Sequence, residues 1–126
     1  MTHKMNLYND SFESIKSGKK TIEMRLFDEK RSIIKPNDYI EFNNTRNGET
    51  LLCVVINIYR YNNFEELYKN HDKISIGYEE DEIASPDDML MYYSIDNINK
   101  YGVVGIEIKK LWLFDILQII IANELF

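Results

Sequence analysis

Cysteine, histidine, proline and glycine are all scarce in this 126-residue chain, at one, two, two and five residues. The lone Cys53 excludes an internal disulfide framework and is compatible with a reducing cytoplasm, where the protein is expected to reside. Cys53 lies in the apolar run LLCVVI and reads as a core residue. With His3 and His71 it gives no metal-ligand spacing, so neither a metal nor a cofactor is expected. The five glycines form no phosphate cradle, since Gly102 and Gly105 fall in a strand pattern rather than at a strand-to-helix turn. Positive charge is also in deficit. The net charge of -6 argues against a sequence-blind nucleic-acid coat, which needs a broadly basic face. Nor is there a long hydrophobic run at the start, because Met1 to Asn9 is too polar for a signal peptide.

The remaining composition is that of one globular domain with a core of its own, 44% hydrophobic and 29% charged. Charge is distributed unevenly. Residues 1–50 carry nine Lys/Arg against eight Asp/Glu, whereas residues 51–126 carry six against thirteen. A local basic site near the N-terminal third is therefore allowed, and a global one is not.

Asn9-Asp10-Ser11 offers helix-capping side chains, Phe12 and Ile15 follow at helical spacing, and Gly18 supplies a stop. From Thr21 the period becomes two, with Ile22, Met24 and Leu26 on one face and Thr21, Glu23 and Arg25 on the other. A helical turn over 28–34 leads through Pro36-Asn37-Asp38 into a strand, YIEFNN. The run from Leu51 to Ile56 predicts a strand covered on both faces. Asn63 and Glu66 mark the start of another helix, Ser85-Pro86 a further one running through MLMYYS, and Asp96 the cap of a last turn before the strand YGVVGIEIKK. The sum is about five strands with short helices between them, a small mixed barrel rather than a doubly wound sheet.

The end of the chain, LWLFDILQIIIANELF, is predominantly apolar but short for a membrane span and interrupted by Asp115 and Gln118. No membrane role is expected. The division is then a domain over 1–110 and an extension over 111–126 that packs on the domain or on a second copy, as a homodimer.

The chemistry-bearing stretch is SGKKTIEMR, residues 17–25. On a strand, Glu23 and Arg25 point the same way about 7 Å apart, and Lys20 arrives from the preceding turn. Three such charges form either a surface ion-pair network or the lining of a site that holds an anion or orients a water. The acidic run Glu79-Glu80-Asp81-Glu82 is a solvated loop, or contributes one acid to a pocket. Tyr59, Tyr61, Tyr92, Tyr93 and Tyr101 are candidates for stacking bases.

GKKTIEMR resembles the Gly-x-Lys-x-x-Glu-x-Arg signature of the ASCH domains of the PUA-like superfamily, on Gly18, Lys20, Glu23 and Arg25. SFESIKSG before it and IKPNDYIEF, FEELY and YGVVGIEI after it extend the likeness over residues 5 to 109. The resemblance implies an α+β fold, a PUA-like mixed β pseudo-barrel of about five strands with short flanking helices. It also implies a cleft that binds RNA, a nucleotide or a modified nucleoside through Lys20, Glu23 and Arg25. One branch of the family hydrolyses the amide of acetylated cytidine with a lysine, a threonine and a downstream glutamate. The lysine falls on Lys20, Glu23 stands where that branch has threonine, and counting back from Ser85 points to Glu82, with Glu79 and Glu80 equally defensible. The alternative implied is thus a metal-independent amidohydrolase or esterase using Lys20, Glu23 and Glu82, and the apolar tail by itself suggests a further one, an interaction module.

Overall fold

The structure is a computed structural model that describes residues 1–125. Five strands, β1 (Thr2–Leu7), β2 (Ile22–Leu26), β3 (Tyr39–Asn44), β4 (Thr50–Tyr61) and β5 (Val103–Lys110), form one sheet in the order β1-β3-β4-β5-β2. The β1–β3 pair is parallel and every other pair antiparallel, and the sheet curls into a half-barrel. Helices α1 (Asn9–Lys16), α2 (Glu29–Ser32), α3 (Phe64–Asn70), α4 (Ile95–Tyr101) and α5 (Leu113–Leu125) flank it, with a 3₁₀ turn at Pro86–Met91. This is the expected α+β pseudo-barrel.

Alternation along the strands places one core on each face of the sheet. Inside the curl, Phe12 and Ile15 of α1 plug against Ile40, Phe42, Val55, Val104 and Ile106. Outside, α3, the 3₁₀ turn and α4 cover Ile22, Met24, Leu26 and Val103 with Phe64, Leu67, Met89 and Ile98. Glu23 and Arg25 therefore belong to the inner face, opposite Ile106 and Val104. The two edge strands of the curl are bridged by Arg25, whose Nη2 donates to the carbonyl of Asn6 at 2.7 Å.

Some local expectations are corrected. Strand β1 reads as a polar start in sequence, and it is ordered by its parallel partner β3. The Leu51–Ile56 run is not buried throughout: Leu51, Cys53 and Val55 are in the core while Ile56 is exposed, because the register slips between Val55 and Asn57. Helix α1 starts without a side-chain cap, and Asn9 instead accepts from the Asn44 amide. The stretch after Ser85 is one 3₁₀ turn that stops at Tyr92, and Ser94, not Asp96, caps α4. Gly18, with φ +87°, ends α1 as expected.

Candidate functional site

Turning from α1 into β2 through Gly18 carries Lys20 to the inner mouth of the half-barrel, beside the first inward residue of β2, Glu23. The turn is fixed from the far side of the chain, since the amides of Thr21 and Ile22 both donate to the carbonyl of Ser75. Lys20 and Glu23 are 6% and 4% exposed, so this is a buried ion pair and not a surface network. Lys20 Nζ lies 2.9 Å from Glu23 Oε1. Arg25 donates to Glu23 Oε2 through Nε at 3.1 Å and Nη2 at 2.9 Å. The Met24 amide donates to Glu23 Oε1 at 3.2 Å. A carboxylate offers about four acceptor positions, and all of Glu23's are taken.

Burial pushes the Glu23 carboxyl toward its neutral form, but the attraction of Lys20 and Arg25 outweighs it and holds the group below the usual carboxylate range. The Arg25 guanidinium, though disfavoured by burial, is held charged by Glu23. The donors left over face the cavity. Lys20 also donates to Ser11 Oγ at 3.4 Å, and that contact leaves the Ser11 hydroxyl hydrogen free to turn outward. The Nη1 group of Arg25 has no hydrogen-bond partner among the described residues. The floor thus offers mainly donors, the Glu23 carboxylate being fully occupied.

Above this floor lies a cavity of about 1030 Å³ between α1 and the segment 76–93. Gly77 closes one wall at a φ of +117°, and a Cβ there would sit 3.3 Å from Lys20 Cδ, so the lysine stem packs against bare backbone. Tyr8, Tyr68, Tyr78, Tyr92 and Tyr93 line the walls. The Tyr78 hydroxyl stands 2.6 Å from Asp88 Oδ2 and 2.9 Å from the Tyr68 hydroxyl, which fixes both rings. Tyr93 stacks on Phe64 at 6.0 Å, and burial raises its hydroxyl pKa. The ionisable lining counts six carboxylates (Asp10, Glu13, Glu23, Glu79, Glu82, Asp88) against Lys19, Lys20 and Arg25, a net charge of -3.

Of the residues singled out in the sequence, Lys20, Glu23 and Arg25 come together. Glu82 stands on the cavity wall, where its carboxylate accepts from the Glu79 amide at 2.8 Å and not from the triad. Glu79 also lines the cavity and pairs with Lys19, whereas Glu80 does not line it. Tyr92 and Tyr93 are in the cleft. Tyr59 and Tyr61 instead contact His71 on the other face, and Tyr101 lines a separate hollow with Arg60 and Lys100. His3 pairs with Asp38 at 2.8 Å. Ser11, Gly77 and Tyr78 escape the sequence reading, because only the folded contact with Lys20 and Asp88 distinguishes them.

Comparison with known proteins gives a consistent answer. The model of the ASCH domain matches residues 5–111. The crystal structure of hypothetical protein PH0355 is 35% identical, with a TM-score of 0.76 over 88% of this chain and 100% of that one. The solution structure of protein PF0455 from Pyrococcus furiosus is 36% identical, with a TM-score of 0.68 over 88% and 98%. A mutant of the ASCH protein from Zymomonas mobilis shares the fold at 14% identity, with a TM-score of 0.55 over 94% and 78%. No curated protein matches the chain.

Proposed function

The chain belongs to the ASCH domain family, and from that premise we propose that its cleft is a binding site for an uncharged nucleobase or modified nucleoside. One observation carries this reading: a buried Lys20–Glu23 pair with a part-buried Arg25, the Glu23 carboxylate saturated, forms a donor-rich floor under tyrosine walls. Carbonyl oxygens and unprotonated ring nitrogens are the acceptors such a floor selects, and nucleobases present both on one edge. Stacking on tyrosine adds about 1–3 kcal/mol per base and tolerates any base.

Electrostatics separates this ligand from the longer ones the family resemblance admits. A net charge of -3 on the lining repels a phosphate that must approach through it. Long RNA also lacks a basic surface to follow on a molecule of net charge -6.

A hydrolytic reading rests on the same floor, since donors that hold a carbonyl also stabilise the oxyanion formed when water attacks an acylated nucleoside. It then needs a base, and the saturation of Glu23 is unfavourable to that role. Binding is therefore the reading preferred here, in a module of the RNA-related PUA-like class.

The test is calorimetric titration with a panel of acylated and plain nucleosides, the same mixtures being followed by chromatography. Expected are saturable binding, an affinity loss of at least tenfold in Lys20→Met, and unchanged nucleosides after prolonged incubation. Deacylation by the wild type that Lys20→Met abolishes would replace the binding reading with the enzymatic one.

A further inference from the structure

Helix α5 lies beyond the region matched by the ASCH model, which stops at residue 111. None of its residues 113–124 is buried. Successive residues turn about 100° around a helix, which sets Leu113, Phe114, Leu117, Ile120 and Ile121 on one stripe about 120° wide. That stripe faces outward, with its five side chains between 47% and 72% exposed. The opposite side, with Asp115, Ile116 and Ile119, is the less exposed one. Helices on a protein surface have the reverse polarity.

We propose that this stripe is a homodimer interface, in which α5 pairs antiparallel with α5 of a second copy about a twofold axis at Leu117. Three observations select a second copy as the occupant. The first is area. With about 150–250 Å² for a large side chain, the exposed part of these five residues is on the order of 500–600 Å² per copy. Two copies together clear the roughly 1,000 Å² expected of a biological interface.

The second is self-complementarity. In an isologous pair centred on Leu117, Leu113 meets the partner's Ile121 and Phe114 meets the partner's Ile120, so apolar side chains face apolar side chains on both sides of the axis. The third is what the helix lacks. It carries Asp115 and Glu124 and no lysine or arginine, the opposite of a helix that lies on anionic lipid. No helix among the described residues is long and apolar enough to cross a membrane.

Sedimentation of the full chain tests the pairing. The wild type is expected to sediment as a dimer of about 30 kDa, twice the 15.0 kDa chain. Leu117→Glu sets two carboxylates against each other on the axis. That variant should sediment as a monomer with the circular dichroism and unfolding midpoint of a folded domain. Phe114→Glu and Ile120→Glu, at positions that face each other across the axis, should each weaken the dimer at least tenfold. A wild-type monomer at 0.1 mM, or a dimer that survives Leu117→Glu, overturns the proposal. So does a wild-type monomer that sediments with lipid vesicles while Leu117→Glu does not.

Discussion

Glu23 is the residue on which both stability and specificity turn. Lys20 is buried with it and Arg25 partly so, and removing its charge leaves both cations without their counterion. Glu23→Gln is expected to destabilise the fold by about 3–5 kcal/mol, read as a shift in the urea midpoint. The pH dependence follows from its lowered pKa. A carboxyl held below its unfolded value contributes stability that is fully present above about pH 5 and is lost as pH falls through the folded value. Asp38, lowered to about 2 by the hydrogen bond from His3, contributes in the same acid window. The acid limb of stability should therefore flatten partly in Glu23→Gln and partly in Asp38→Asn, and most in the double variant. Equal acid limbs in the wild type and Glu23→Gln would contradict the ion pair. Ser11 separates binding from folding. Because Lys20 donates to its oxygen and leaves its hydrogen free to turn toward the cavity, Ser11→Ala should weaken nucleoside binding about three- to tenfold. The contact with Lys20 is long, so stability should fall by no more than about 1 kcal/mol, and Ser11→Thr should retain affinity.

At the scale of elements, the cleft depends on a wall that approaches with no side chain. Gly77 and Gly48 both have positive φ, but only Gly77 has a neighbour where a Cβ would go. Gly48→Ala meets open space and should cost about 1 kcal/mol from backbone strain alone. Gly77→Ala should cost at least as much, and in addition displace the Lys20 stem and weaken ligand binding. Denaturation and titration of the two variants side by side distinguish strain from contact. The same two kinds of information mark what the sequence made legible. Strand β2 and the Gly18 stop were readable because period and turn chemistry are local. Strand β1 was not, because THKMNL has little pattern of its own and gains its order from β3 across the half-barrel. Apolar continuity over Leu51–Ile56 suggested two covered faces, but a slip in register moved Ile56 into solvent, and nothing in the composition of the run signals where a register slips.

For the whole molecule, the triad shows how far periodicity reaches. Alternation placed Glu23 and Arg25 together and left them equally suited to a surface. The resemblance implied a cleft lining, and the fold sets all three beside a cavity by a route that no local pattern contains. The inner face of β2 is closed because α1 fills the curl and Arg25 reaches the opposite edge strand at Asn6. A buried floor beneath an acidic wall then makes a prediction about ionic strength. A nucleoside and its 5′-monophosphate share the base that the floor and the tyrosines recognise, and differ in a charge that must lie among carboxylates. At low salt the monophosphate should bind roughly three- to tenfold more weakly, since unscreened repulsion acts over the width of the cleft. Raising the salt toward 1 M shortens screening to about 3 Å and should bring the two affinities together, while the nucleoside's own affinity stays nearly constant. The opposite order, a monophosphate that binds more tightly at low salt and weakens as salt is added, would mean that Lys19, Lys20 and Arg25 govern the approach, and the ligand would then be a nucleotide.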